Sequence, residues 1–230
     1  MEERNEMNRR SLLLGAGATL GPLAGAPVLA AGWDPDAGVT APEDLMKEHG
    51  VLNRCLLIYE EGVRRLRDGH EISPETFGHT AALVKHFVEE YHEKNEEDFI
   101  FPVFEKHGKL VDLVSTLKTQ HKAGRKVTAQ IIALSKPDTF KAKENQTKMI
   151  SAIEAFIRMY RPHESREDTV LFPALRTILN PKQVESLGER MEGNEQKVLG
   201  HEGFERSVDQ VTQIEKALGI LDLKQFTPHV

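Results

Sequence analysis

Several features that define other classes of protein are scarce in this 230-residue sequence. It has one cysteine, Cys55, so no disulfide can form within the chain. That cysteine has apolar neighbours and is predicted to be a small buried hydrophobic residue. Aromatic residues make up only 6% of the chain, and the alternating pattern typical of strands is hard to find. The net charge of −6 argues against a nucleic-acid partner, because phosphate binding needs a basic face.

The composition that remains is that of a soluble helical protein. Hydrophobic residues account for 39% of the chain and charged residues for 29%, as in ordinary globular domains. Glu, Lys, Leu and Ala are abundant, and these residues favour helices. The length is sufficient for one domain with a substantial buried core.

The N-terminus has the pattern of an export signal. A charged start leads into an uncharged stretch that runs to Trp33 and is rich in Gly, Ala and Pro. The pair Arg9-Arg10, followed by leucines, resembles the twin-arginine signal, with cleavage expected after Ala30. An ordinary secretory signal or an uncleaved anchor are the alternatives. The glycines and prolines make this a poor membrane helix, so we expect a periplasmic protein without stable membrane insertion after cleavage.

Apolar residues at steps of three and four predict four amphipathic helices between residues 43 and 180. Thr40 and Glu43 form a capping-box pattern at the first start, and Ser73-Pro74 marks the second. Asn180-Pro181 opens a further helical region with a break at Gly200 or Gly203. We therefore predict an all-α fold, an up-down-up-down four-helix bundle with an additional C-terminal helical region. The predicted segments are a signal (1–30), a linker (31–42), the bundle (43–180) and a C-terminal extension packed on it (181–230).

The most informative feature is a repeated motif. The pattern His-x-x-x-Glu-(x)4-Phe-Pro occurs at residues 92–102 and again at residues 163–173, and each copy is preceded by a lone histidine. The i, i+4 spacing places each histidine beside its glutamate on the apolar face of a helix. The candidate metal ligands are His49, His92, Glu96, His121, His163 and Glu167.

Burial of these glutamates calls for a compensating charge. An ionised carboxylate without a partner costs several kcal/mol or more to bury, and a shared metal is the simplest compensation. Imidazole and carboxylate ligands without thiolate suit iron, manganese or zinc. Four imidazoles and two carboxylates are enough for two metal ions bridged by the glutamates, with positions open for a small ligand.

These motifs resemble those of the hemerythrin-like (HHE cation-binding) family over residues 43–176. The resemblance implies a four-helix bundle around a non-haem di-iron centre that binds dioxygen or another diatomic such as nitric oxide. It therefore implies two iron ions as the cofactor, ahead of manganese or zinc, and the six candidate residues as ligands.

The sequence departs from the oxygen-carrying members on the third helix. Those proteins have two histidines one turn apart on the third helix, whereas His121 stands between Leu117 and Arg125. They also use an aspartate five residues after the fourth-helix histidine, where Asp168 lies. A regular α-helix keeps Glu167 on the ligand face and turns Asp168 away, so Glu167 is the preferred ligand. The same helical phase predicts that Glu97 faces outward.

The remaining coordination positions have further candidate ligands. The candidates for a further ligand are Glu93, Glu164, Tyr91, Tyr160 and His201, the two tyrosines being favoured as core or hydrogen-bonding residues. His86 is predicted to be solvated, and no role is assigned to His70, His79, His107 or His229. A ferritin-like di-iron site is disfavoured because its Glu-x-x-His pattern occurs only once.

We therefore expect an exported protein that binds dioxygen or nitric oxide for storage, delivery or sensing, rather than an enzyme. The alternatives are an oxidase, peroxidase or nitric-oxide-reducing activity at the same centre, and an iron-handling role. The sequence does not identify an electron-transfer partner.

Overall fold

The computed structural model describes residues 40–228, and this part of the chain is helical and contains no strand. The all-α prediction is confirmed for these residues. The predicted export signal, most of the predicted linker and His229 lie outside the described residues.

Four long helical runs carry the motifs. Helix α1 is Ala41–Arg67, and α2 is a continuous helical run over 74–107. Helix α3 is Val111–Leu134, the short α4 is Pro137–Phe140, and α5 is a continuous run over 143–178. Helices α6, Pro181–Val198, and α7, Gly203–Leu218, follow, with a final 3-10 turn at Leu223–Phe226.

The helix starts follow the capping signals of the sequence. The Glu43 carboxylate accepts hydrogen bonds from the Thr40 backbone N–H and hydroxyl at the start of α1. The Ser73 hydroxyl accepts from the Glu75 N–H at the start of α2. Asn180 and Gln183 cap α6 reciprocally. These predicted starts are confirmed.

The hydrophobic core consists of two clusters. The first cluster is built on residues such as Leu56, Phe87 and Phe156, and the second on residues such as Leu45, Phe101 and Phe172. In the order of residues along each of α1, α2, α3 and α5, the motif histidine separates the residues of the first cluster from those of the second. The polar motif residues therefore occupy a layer within an otherwise apolar interior.

The C-terminal helices complete both clusters. Leu187 and Met191 of α6 belong to the second cluster, whereas Val211 of α7 belongs to the first. Helix α7 is also tied to α1 by the Arg54 guanidinium, which donates to the largely buried Glu215 carboxylate. The extension thus shares its core with the four long helical runs.

Cys55 is fully buried within the first cluster, as predicted. Burial raises the pKa of its thiol to about 12, so the reactive thiolate is disfavoured. Among residues 40–228, none of the helices combines the length and apolar character that a membrane span requires.

Candidate metal centre

The four motif histidines meet as two pairs in the interior. His49 of α1 and His92 of α2 point their Nε2 atoms at each other across 3.1 Å. His121 of α3 and His163 of α5 do the same across 3.2 Å. All four residues are at most 4% exposed. The structure therefore brings together histidines that are separated by up to 114 positions in the chain.

Glu96 extends between the two histidine pairs. Its Oε2 atom lies 3.4 Å from His121 Nε2, and its Oε1 atom lies 3.7 Å from His92 Nε2. One carboxylate thus reaches one nitrogen of each pair.

Glu167 makes the equivalent contacts from α5. Its Oε2 atom lies 3.2 Å from His163 Nε2 and 3.4 Å from His49 Nε2. Both Glu96 and Glu167 are completely buried, and within the described part of the chain none of their four carboxylate oxygens has a hydrogen-bond partner. Such groups are costly in a folded protein, so they point to a cation that occupies the space between them.

Each histidine is oriented by a hydrogen bond from its other ring nitrogen. When Nδ1–H donates to a side-chain oxygen, the lone pair of Nε2 stays free for a metal. The four bonds are His49 to Asp168 (2.8 Å), His92 to Glu48 (2.7 Å), His121 to Glu97 (3.1 Å) and His163 to Gln120 (2.8 Å). Sequence reasoning did not identify Glu48 or Gln120. Their signal is positional, since each immediately precedes a candidate histidine.

The two Phe-Pro pairs pack against the centre. The Phe101 ring stacks on His121 with 5.5 Å between the centroids, and Phe172 stacks on His49 at 5.8 Å. Both phenylalanines are fully buried. They therefore fix the faces of two imidazoles and exclude water on that side.

A π-helical segment lies at the same place in both motif copies. These segments are Glu96–Ile100 and Glu167–Leu171, and each ends directly before a Phe-Pro pair. Proline has no N–H to donate and its ring clashes with the carbonyl four residues earlier, so the preceding turn widens. Each π segment begins at the motif glutamate, and such segments are frequent at functional sites.

The widened turn explains why the predicted orientation of Glu97 is wrong. The prediction assumed regular α-helical rotation, but Glu97 lies inside a π segment, where each residue rotates less. Its side chain is only 15% exposed, and it accepts hydrogen bonds from His121 and Arg125. Glu97 supports a histidine instead of facing solvent.

The other candidate ligands lie around the cluster instead of within it. Tyr91 donates to Glu48, and Tyr160 donates to Glu93 across 2.6 Å. Arg125 forms ion pairs with both Glu93 and Glu97, so a cation is already present beside those two carboxylates.

Glu164 and His201 are also kept out of the centre. Glu164 accepts a hydrogen bond from Asn53. The side chain of His201 is 89% exposed in the turn before α7, and the structure does not bring it to the centre. His86 is exposed, as predicted, and so are His70, His79 and His107.

Gly124 makes room for the Tyr160 hydroxyl. A Cβ atom at this position would collide with the phenol oxygen and ring of Tyr160. We expect Gly124→Ala to displace Tyr160 from Glu93 and to cost about 1–3 kcal/mol of unfolding free energy, as overpacking does. Chemical denaturation measures this cost. The control is Ala129→Gly, at a site lining the surface groove beside Arg125, which should lose no more than about 1 kcal/mol of unfolding free energy, the cost of glycine in a helix. A Gly124→Ala protein as stable as the wild type would contradict the close contact between Gly124 and Tyr160.

The charges of the metal-free centre oppose one another. Burial and the neighbouring Glu167 raise the pKa of Glu96. Burial favours a raised pKa at Glu167 too, but His163 and His49 outweigh it and hold that pKa below its usual range. Burial disfavours the charge on His49, yet Asp168 and Glu167 outweigh burial and raise its pKa to about 10.

His121 and His92 favour the neutral imidazole. Burial lowers the pKa of His121 to about 4 and that of His92 well below its ordinary value. Burial also raises the pKa of Glu48, which accepts from His92, to about 8. A cation held by His92 would favour the ionised form of Glu48, because the two charges have opposite sign.

These pKa directions predict proton release on metal binding. Because the pKa values of Glu96 and His49 are raised in the metal-free centre, a metal competes with protons for these two ligands. The apparent Co²⁺ affinity should therefore rise between pH 6 and 8, by about tenfold per pH unit for each displaced proton. Titration calorimetry in buffers of different ionisation enthalpy measures the release. An affinity that is independent of pH over this range would contradict the expected protonation.

The donor set fits a metal centre made of nitrogen and oxygen ligands. Ligand atoms of Glu96, His121, His163 and Glu167 lie within 4.8 Å of one another, and so do those of His49, His92 and Glu96. The two groups share Glu96. Imidazole and carboxylate donors suit iron, manganese and zinc, and the four free oxygens of the glutamates provide the negative charge that a cation requires.

Comparisons with known proteins identify the family. A profile of the Hemerythrin HHE cation binding domain matches residues 40–175, which include all six candidate ligands. The chain therefore belongs to the hemerythrin HHE cation-binding family.

Its curated relatives include uncharacterized proteins of Mycobacterium tuberculosis (strains H37Rv and CDC 1551) and of Mycobacterium bovis. Each is 43% identical over 195 residues, which cover 85% of this chain and 76% of the relative. No solved structure gives a significant match.

Proposed function

We propose that this chain is an exported non-haem di-iron protein that binds dioxygen or nitric oxide for storage, delivery or sensing. The observation that carries the proposal is the buried meeting of two facing pairs of histidine Nε2 atoms with four carboxylate oxygens that lack hydrogen-bond partners. Family membership supports the choice of a metal, with iron ahead of manganese and zinc.

We also propose that α1, α2, α3 and α5 form an up-down-up-down bundle around the centre. The order of the two core clusters along these helices supports it. Helices α1 and α3 run from second-cluster residues through the motif histidine to first-cluster residues, whereas α2 and α5 run in the opposite order. Alternating order is what antiparallel neighbours produce.

The chain's own residues would hold the ions and orient the ligands in this centre. His49 and His92 would hold one ion, and His121 and His163 the other, with Glu96 and Glu167 between them. The Nδ1 acceptors keep the imidazoles in the metal-binding tautomer. The two iron ions would supply the coordination positions at which a diatomic ligand binds.

Export of the folded, metal-loaded protein is part of the proposal. The twin-arginine pattern at Arg9-Arg10 supports a periplasmic location. The twin-arginine route carries proteins that have already folded. The chain could then acquire iron before it crosses the membrane. Cell fractionation tests the location. The processed protein should appear in the periplasm, and Arg9→Lys/Arg10→Lys should retain it inside the cell.

An oxidase, peroxidase or nitric-oxide-reducing activity is the second candidate. It is favoured by the small donor set. His121 is the only motif histidine of α3, and Leu117 and Arg125, one turn to either side, offer no imidazole. Fewer protein ligands leave more positions open for turnover. An iron-handling role, in which the ions mainly stabilise the bundle, is the third.

Absorption spectra of iron-loaded protein distinguish these functions. A ligand-binding protein should develop a near-ultraviolet or visible charge-transfer band on exposure to oxygen or nitric oxide, and degassing should reverse it. Steady consumption of peroxide or nitric oxide with an added reductant would favour the enzyme. If the iron-loaded protein shows neither response, both ligand-based functions are wrong and iron handling remains.

A further inference from the structure

The hydrogen bonds that orient the histidines differ between the two pairs. His49 donates to the Asp168 carboxylate and His92 to the Glu48 carboxylate. In this pair both imidazoles are therefore supported by an acidic side chain. Glu48 also accepts from the Tyr91 hydroxyl, which brings no positive charge to this carboxyl group.

The other pair has weaker support. His163 donates to the side-chain oxygen of Gln120, an uncharged amide. His121 donates to Glu97, but the same Glu97 oxygen also accepts from Arg125 at 2.7 Å, and the other oxygen accepts from Lys94. Two cations thus already share the one carboxylate that accepts from an Nδ1 atom of this pair.

The difference matters for a bound cation in two ways. A carboxylate acceptor makes an imidazole a stronger donor than an amide does, and changes among such acceptors alter metal affinity by about 10–100-fold. In addition, the ion pairs that Glu97 forms with Arg125 and Lys94 compensate its charge, so this carboxylate strengthens His121 less than a carboxylate without such partners would. Both effects favour the His49–His92 pair.

We infer that the two metal positions are unequal: the His49–His92 position fills first, and the His121–His163 position fills at higher metal concentration. This inference rests on the proposed two-metal centre. Asp168 and Gln120 are positioning residues that set the difference, because each acts on a metal only through the imidazole it orients. Each faces one histidine and lies outside the buried ligand cluster.

The inference is tested by titrating the full-length protein, freed of metal with a chelator, with Co²⁺ under anaerobic conditions. Calorimetry and the visible absorption bands of Co²⁺ are the readouts. Two ions per chain should bind in two steps whose affinities differ by at least about tenfold. Two ions that bind in one step with equal affinity would overturn the inference while leaving the two-metal centre intact. Fewer than two ions at saturation would instead overturn the two-metal centre.

Substitutions assign the steps. Asp168→Asn should weaken the first step about tenfold and leave the second unchanged, whereas Gln120→Glu should strengthen the second step and narrow the gap. Asp168 is 35% exposed, so its replacement should not prevent folding. Asp98→Asn, an exposed residue of α2, is the control for a change of one charge near the centre and should alter neither step. An effect of Asp168→Asn on the second step alone would overturn the order of filling.

Discussion

Replacing either central glutamate should abolish tight metal binding. In Glu96→Gln and Glu167→Gln, we expect metal affinity to fall by at least about a hundredfold. Replacing a residue that only orients a ligand already lowers metal affinity by about 10–100-fold, and the loss of a ligand itself should be larger. Each substitution removes a ligand and part of the negative charge between the histidine pairs. Calorimetric titration with Co²⁺ measures the loss. Glu90→Gln, at an exposed position of α2, is the matched control and should bind normally.

Glu96→Gln should have opposite effects on stability with and without metal. A buried carboxylate without a partner destabilises the metal-free protein, so Glu96→Gln should melt at the same temperature as the metal-free wild type, or higher. Metal at a hundred times its dissociation constant should stabilise the wild type by about 2.7 kcal/mol, roughly 5–11 °C in melting temperature, and should not stabilise the variant. A variant that retains the full metal-dependent shift would contradict the ligand assignment.

Removal of the C-terminal helices should prevent stable folding. A chain that ends at Asn180 loses buried side chains that each contribute about 1.5–3 kcal/mol, against a total stability of about 5–15 kcal/mol for a typical domain. The buried residues lost are Val184, Leu187, Met191, Leu199, Val211, Leu218 and Ile220. The truncated chain should therefore appear in the insoluble fraction or show no cooperative melting.

Single substitutions in α6 provide a milder version of this test. Met191→Ala should lower the unfolding free energy by about 2–5 kcal/mol, because Met191 is buried in the second core cluster. Gln196→Ala, at an exposed position of the same helix, should change it by less than about 0.5 kcal/mol. A truncated chain that folds cooperatively and binds metal would show that the extension is dispensable.

The helices and the six clustered residues could be predicted because the sequence shows clear capping residues and a repeated motif. Capping residues such as Thr40, Ser73 and Asn180 marked the helix starts, and the repeated motif fixed the positions of the polar residues on the apolar faces. The meeting of these residues then followed from the need to bury four amphipathic faces together.

The residues that orient the histidines were harder to predict. Glu48 and Gln120 each stand next to a histidine in the chain, yet one-residue neighbours on a helix do not normally face the same way. Their hydrogen bonds cross to a histidine of a neighbouring helix, and such contacts depend on how the helices pack. Glu97 was assigned to the wrong face because a single sequence does not reveal a π segment.

The number of ions bound per chain tests the central claim most directly. The measurement is iron content by elemental analysis of protein reconstituted with Fe²⁺ without oxygen, with Glu96→Gln and Glu167→Gln in parallel. The proposed di-iron centre predicts two iron ions per chain in the wild type and a clear loss in both variants. One ion or none in the wild type, or full iron content in the variants, would contradict a di-iron centre at these residues.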